Sequence, residues 1–240
     1  MIVESHVDQD GIRTITLNRP PANAINHDMR IAIRDAFVEA DRDWDTKVVI
    51  FDSSVDRFFS AGMDVKDKGP APEELPPAVP QFGSAMGREV FEVIQNCGVP
   101  VIAKVRGMAV GAGFLYACLA DFAVASENAS FGQFEIKVGA VGGAGIVRRM
   151  MSEQAMRYFT WTGDLVPVKD LVAMGAGIRV VADDQLDAEV DRLARLLASR
   201  TNYVIRHTKL SMNRVEHMGG NQAYAFEQMH SEILHLRGQQ

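Results

Sequence analysis

Read for where apolar and polar residues fall, the chain alternates two periodicities over its first 180 residues. Gly11-Ile-Arg-Thr-Ile-Thr-Leu17 alternates apolar and polar, the pattern of a half-buried strand. From Asp28 the apolar positions Met29, Ile33, Phe37, Ala40 and Trp44 step by three or four, which predicts a helix to about Asp43. Lys47-Val-Val-Ile-Phe51, Val99-Pro-Val-Ile-Ala-Lys-Val105, Phe122-Ala-Val-Ala125 and Ile178-Arg-Val-Val-Ala182 are short apolar runs that read as buried strands. Helical patterns cover 84–96, 152–161 and 167–174, and then 185–199, 202–216 and 221–236, where Leu186, Val190, Leu193 and Leu197 form one stripe. Strands alternating with helices and followed by helices alone predict an α/β core over 1–184 and a C-terminal helical region over 185–240.

Composition narrows the class. The length of 240 residues suits one large domain, and 47% apolar with 23% charged residues is ordinary for a globular protein. A net charge of −6 argues against a nucleic-acid partner. The N-terminus lacks a basic segment and an apolar core, and the longest uncharged run, 107–120, is too short for a bilayer. The expectation is a cytoplasmic protein without membrane contact, with Cys97 and Cys118 as free thiols and no metal site. The six histidines show no metal spacing and read as surface or internally satisfied residues. Five of the nine prolines crowd into 70–80, which predicts a mobile or extended loop.

Eight of the 20 glycines fall between Gly107 and Gly145. No phosphate loop explains them, and Gly111-Ala-Gly113 is followed by Phe-Leu-Tyr116, so the dinucleotide fingerprint fails at its last position. Arg106-Gly-Met-Ala-Val-Gly-Ala-Gly113 reads as a turn between a strand ending at Val105 and a helix opening near Gly113. Small residues there serve either close packing or the approach of a ligand to free N–H groups at a helix N-terminus. Ser60-Ala-Gly-Met-Asp64 is a second loop of this kind, and two such loops can aim two backbone donors at one oxygen. In Ser130-Phe-Gly-Gln-Phe-Glu-Ile-Lys-Val-Gly139, Glu135 is either a solvated side chain or, among its apolar neighbours, a base with a raised pKa.

In their order and spacing these segments resemble the crotonase, or enoyl-CoA hydratase/isomerase, superfamily. The marks are Leu-Asn-Arg-Pro with Asn-Ala-Ile-Asn at 17–26, Phe-Ser-Ala-Gly-Met-Asp at 59–64, Pro-Val-Ile-Ala-Lys-Val-Arg-Gly-Met-Ala-Val-Gly-Ala-Gly at 100–113, Ala-Asp-Phe-Ala-Val-Ala-Ser-Glu at 120–127, Phe-Gly-Gln-Phe-Glu-Ile-Lys-Val-Gly at 131–139 and Thr-Gly-Asp at 162–164. The resemblance implies a spiral of ββα units with a helical trimerisation region, a homotrimer or dimer of trimers, and an acyl-CoA substrate, coenzyme A arriving as part of that substrate and not as a separate cofactor. It implies a thioester enolate held by the backbone N–H groups of Met63 and Ala112, with Glu135 moving the proton. It places Ala22, Ala24, Ala61, Asp64 and Val65 around the CoA moiety, and Ser60, Met108, Val110, Gly111, Leu115 and Gly143 also at the substrate.

Where a typical hydratase of that family has a second glutamate, this chain has Leu115, which can neither orient a water nor carry a proton. The isomerase branch works with one glutamate at the position of Glu135, so a double-bond shift is the leading expectation. The alternatives are a hydratase whose second acid comes from elsewhere, such as Glu89 or Glu92, and a non-catalytic acyl-CoA binder. The middle glycine of the family's turn is Ala112, and the basic, aromatic tail of many members is not found after 221–236. That leaves Lys66, Lys68 or Lys209 as candidates for the CoA phosphates, each otherwise a solvated surface lysine. The proline loop and 84–94 are expected to shape the acyl pocket.

Overall fold

A computed structural model describes residues 1–67 and 82–237. The proline cluster of 70–80 and Lys68 lie outside the described residues. Ten strands form two sheets among them. The larger sheet has the order β1 (Val3–Val7), β2 (Ile12–Leu17), β3 (Val48–Ser53), β5 (Val101–Val105), β7 (Phe122–Ser126) and β10 (Ile178–Val181). The smaller has the order β4 (Phe58–Ser60), β6 (Met108–Val110), β8 (Ser130–Gly132) and β9 (Leu165–Pro167). Strands β2, β3, β5, β7 and β10 run parallel, as do β4, β6 and β8.

The connectivity repeats. β3 leads to β4 and helix α2 (Phe82–Gln95), β5 to β6 and α3 (Ala112–Leu119), and β7 to β8, a 3-10 turn (Phe134–Val138) and α4 (Ala144–Val147). Each unit gives one strand to each sheet and then turns helical. This is the ββα spiral of the crotonase fold. Its consequence for function is placement: the segments leaving β4, β6 and β8 emerge side by side at one end of the small sheet.

The central strands are apolar throughout because both faces of the sheet are covered. Val49, Val101, Ala103, Ala123 and Ala125 point into the main core with α1 (His27–Arg42) and α3. Their neighbours Val48, Ile102 and Val124 point outward onto Leu186, Val190, Ala194 and Ala198 of α7 (Leu186–Ala198). α7, the first helix after residue 184, thus closes the second face of the sheet. Beyond it, α8 (Asn202–Val215) and α9 (Gly220–Leu236) pack on each other. Side-chain caps set several helix starts: Asn26 accepts from the Met29 N–H, Ser152 from Ala155 at α5 (Glu153–Thr162), and Thr201 from Val204 at α8. α6 (Val168–Ala173) completes the set of α-helices among the described residues.

Two expectations for the C-terminal region need correction. Lys209 is not a solvated lysine: it is 3% exposed, and its Nζ lies 2.6 Å from both Asp121 carboxylate oxygens, locking α8 to the sheet. His230 is not internally satisfied. Its Nδ1 faces that of His207 at 2.8 Å, but its Nε2 is buried without a partner.

Candidate active site

Three segments build the site, and the first is held by one asparagine. Asn23, in the loop between β2 and α1, is wholly buried with φ of 49°, a left-handed conformation that asparagine tolerates better than most residues. Its Nδ2 donates to Ser53 Oγ (2.8 Å) and the Phe59 carbonyl (3.1 Å), and its Oδ1 accepts from the Arg19 N–H (2.7 Å). This pins the 18–26 loop against β4. The Ala61 N–H then reaches the Ala22 carbonyl, Ile25 donates to Gly62, and Asp64 donates back to Ile25. Arg19 completes the loop by donating to the Ala24 carbonyl and pairing with Asp64 at 2.9 Å. The Asp64 carboxyl is held below its ordinary pKa, first by the Lys66 backbone N–H and then by Arg19.

The structure thus brings Ala22, Ala24, Ala61, Met63 and Asp64 together. Val65 sits at the following turn, 88% exposed. Ser60 does not reach a ligand there. It is fully buried, its Oγ donates to the Asn23 carbonyl and accepts from the Gly62 N–H, and its part is to position the loop.

The isolated bridge between Ile25 and Met63 uses the Gly62 carbonyl and the Asp64 N–H. The Met63 N–H is therefore turned to the opposite side, away from Ile25. That side meets the second segment, the turn from β6 into α3. A Cβ on Gly62 would stand 2.8 Å from the Val110 carbonyl and 3.4 Å from the Ala112 nitrogen, so only glycine lets the two loops touch. Gly111 caps α3 with φ of 53° and donates to the Gly132 carbonyl at 2.8 Å. Ala112 is the first residue of α3, and its N–H has no intrahelical partner. Met108 and Val110 are the β6 residues leading in; Val110 is buried and Met108 half-buried.

The third segment is the 3-10 turn after β8. Glu135 Oε1 lies 3.1 Å from where a Cβ on Gly111 would stand, beside the cap of α3. Its Oε2 is buried and has no hydrogen-bond partner. Burial pushes the carboxyl above the ordinary glutamate range, while its own backbone N–H acts in the opposite direction. Gln133, nearly fully buried, supports the turn by donating to the Gly142 carbonyl (2.7 Å) and accepting from Thr160 Oγ1 (2.8 Å). Leu115 Cδ2 and Gln133 Nε2 lie 2.6 and 2.9 Å from the Cβ position of Gly143. Leu115 is therefore a buried apolar wall against the 142–143 loop, one turn into α3.

The suggested outside acids do not supply a partner: Glu89 faces Arg34 of α1 at 3.7 Å, and Glu92 is exposed. Asn23 and Gln133 stand inside the quoted sequence motifs, yet their supporting roles depend on partners 27–36 residues away. No group of three or more metal-ligating side chains occurs among the described residues, and none of their helices is long and apolar enough to cross a membrane.

Two backbone N–H groups beside a single desolvated carboxylate can hold an oxyanion and move a proton next to it. A family profile for enoyl-CoA hydratase/isomerase matches residues 8–237. The chain belongs to that family. It is 32% identical to a (7aS)-7a-methyl-1,5-dioxo-2,3,5,6,7,7a-hexahydro-1H-indene-carboxyl-CoA hydrolase of Rhodococcus jostii, over 99% of this chain and 91% of the relative. It is 29% identical to a crotonyl-CoA hydratase of Syntrophomonas wolfei, over 85% of this chain and 79% of the relative. Among solved structures, an enoyl-CoA hydratase of Mycobacterium smegmatis superposes with a TM-score of 0.88 at 28% identity, covering 97% of this chain and 90% of that one.

Proposed function

We propose that this family member is an acyl-CoA enzyme working through a thioester enolate. The thioester oxygen is held by the Met63 and Ala112 N–H groups, and Glu135 moves the proton. The observation that carries the reading is Glu135 itself: one oxygen beside the capping glycine of α3, the other buried without a partner, and the carboxyl shifted toward the neutral form. A desolvated group of that kind is a competent base at neutral pH. Each backbone donor contributes about 3 kcal/mol to a developing oxyanion in comparable sites.

With Leu115 where a second acid would stand, the chemistry is that of one carboxylate. Taking a proton from C2 and returning it at C4, a double-bond shift, needs nothing more. A second reading, hydrolysis, is favoured by the hydrolase name of relatives that the chain matches over 99% of its length. There Glu135 takes a proton from water as the water oxygen bonds to a carbonyl carbon of the acyl group, and it gives the proton to the group released when another bond at that carbon breaks. The same reading treats the chain as one subunit of a trimer, supported by the exposed apolar side chains Leu210, Met212, Tyr224 and Met229 on α8 and α9.

The test is incubation with a 3-enoyl-CoA, a 2-enoyl-CoA and the dioxo-indene carboxyl-CoA of the relatives. Migration of the double bond supports the first reading, and cleavage of the indene carboxyl-CoA with uptake of water supports the second. Glu135→Gln abolishes whichever occurs. Turnover that survives this substitution overturns the proposal.

A further inference from the structure

We infer that His207 and His230 form a proton-operated latch, holding α9 on α8 near neutral pH and releasing it in acid. The latch lies outside the site built around Glu135 and does not depend on the chemistry proposed there. A helix of 17 residues ordinarily docks through an apolar stripe. Of the described residues of α9, His230 alone is buried, while Tyr224, Met229 and Leu236 are exposed. α9 packs chiefly on α8. α8 itself is anchored to the body of the domain, by Lys209 on Asp121 (2.6 Å) and by Asn213 on the Gln95 carbonyl (2.9 Å). The docking of the last helix is thus centred on one imidazole.

That imidazole is met in a way that limits its charge. The Nδ1 atoms of His207 and His230 face each other at 2.8 Å, with 5.1 Å between ring centroids, and Phe226 packs against His230 at 4.8 Å. Two ring nitrogens at this distance share one hydrogen, so one Nδ1 donates and the other must accept. A fully protonated pair sets two N–H groups and two positive charges against each other, and the contact has to open.

The surroundings do not absorb that charge. His230 Nε2 is buried without a partner, and so is Ser211 Oγ on the wall of the same cavity of about 210 Å³, which α8 and α9 line between them. Glu227 stands on that wall but forms no ion pair with either ring among the described residues. Arg237 caps α9 with its guanidinium over the Tyr203 ring (5.3 Å) and brings a further positive charge, while Lys209 is committed to Asp121. Burial first, and then His230 and Arg237, hold His207 below the ordinary histidine value of 6.5. The contact is therefore at full strength above that pH and weakens as pH falls below it. An apolar side chain would dock α9 without leaving buried polar atoms unmatched, so what the pair adds is its response to protons. Leu210 and Met212 of α8 and Tyr224 and Met229 of α9 make up the face read above as an assembly surface, and release of α9 would divide it.

The experiment is hydrogen–deuterium exchange of the full-length protein and of His207→Gln and His230→Phe at pH 7.5 and pH 5.0, each rate corrected for intrinsic exchange at that pH. Gln keeps a hydrogen-bonding group that gains no charge, and Phe keeps a ring. In the native protein, protection of α9 should fall about tenfold or more between the two pH values, while that of α7 stays within about twofold. Neither variant should show the acid response, and at least one should keep α9 protected at pH 7.5. Native α9 protection that is equal at both pH values, whether high or absent, overturns the inference. An equal fall in α7 overturns it as well, since that is unfolding of the whole domain. So does an acid response that persists in either variant, or loss of α9 protection at pH 7.5 in both, which would make the pair plain packing.

Discussion

Asp43 and Glu135 are both carboxylates at the edge of the packed interior, yet their surroundings treat them in opposite ways. At the corner between α1 and β3, Asp43 accepts from Thr46 Oγ1 (2.6 Å), from Arg13 Nη2 (2.8 Å) and from the Asp45 N–H (3.0 Å). Its carboxyl is drawn down to about 2, first by the Thr46 hydroxyl and then by Arg13. Arg13, 4% exposed, is met in turn by Ser5, Glu39 and Thr46. In the turn after β8, Glu135 has an oxygen with no partner and a carboxyl moved upward by burial. A network in which every polar atom is matched stabilises a fold. A buried atom left unmatched is a cost that a site tolerates when a ligand or a proton is to meet it.

The largest test of this contrast is Glu135→Gln. The substitution keeps the shape and removes the proton carrier, so turnover should fall by roughly 10³-fold, within the usual range for a general acid–base group. Acyl-CoA affinity should change by less than about threefold. A loss of affinity as large as the loss of turnover would make Glu135 a binding residue instead.

Gly111→Ala comes next. The new Cβ would stand 3.1 Å from Glu135 Oε1 at a φ that favours glycine, so it displaces the carboxylate and strains the cap of α3 together. Turnover should drop about 10- to 100-fold, as for small misplacements of a reacting group, with about 1 kcal/mol lost in stability. Unchanged turnover would separate Glu135 from the α3 turn.

Asp43→Asn should do the reverse. Arg13 loses part of its charge pairing, at a cost of about 1–3 kcal/mol in denaturant unfolding. Turnover in the folded fraction should stay within about twofold. If activity falls with stability, the two regions are coupled and the contrast fails.

How much of this was readable beforehand follows the physics of each signal. β2, β3, β5, β7 and β10 announced themselves because strands of four to six residues either alternate or run apolar. β4, β6, β8 and β9 did not, since three residues are too few to show a period, and the first three matter most because they lead into the site. β1 escaped as an edge strand in which only Val3 is buried. The Ser60–Asp64 and Arg106–Gly113 loops were legible because close backbone contact demands small residues. Ser60 then proved to be support, because a hydroxyl's partner, here the Asn23 carbonyl 37 residues away, is set by tertiary structure. Lys209 was misread for the same reason: its place on a helix reveals nothing about Asp121, 88 residues earlier.

The smallest effect sharpens the contrast most, because it predicts a sign. For Glu135 the folded pKa lies above the ordinary glutamate value of about 4.5, so near neutral pH the unfolded chain carries a solvated carboxylate while the folded state must ionise a largely desolvated one. The folded state is therefore penalised above that range, and the penalty disappears as pH falls below about 4.5, where both states are neutral. Glu135→Gln should consequently raise Tm at pH 7, by about 1–3 °C for a domain of this size, and the gain should vanish at pH 4 and below. Asp43 runs the other way. Its folded pKa lies below the ordinary aspartate value of about 3.8, so its stabilisation is present above that pH and is lost as pH falls toward about 2. Asp43→Asn should lower Tm at pH 7 and lose its disadvantage in acid. Melting curves of the two variants at pH 7 and pH 3 give four numbers, and a Glu135→Gln protein that melts lower than the native one at pH 7 would mean that this carboxylate belongs to the scaffold as Asp43 does.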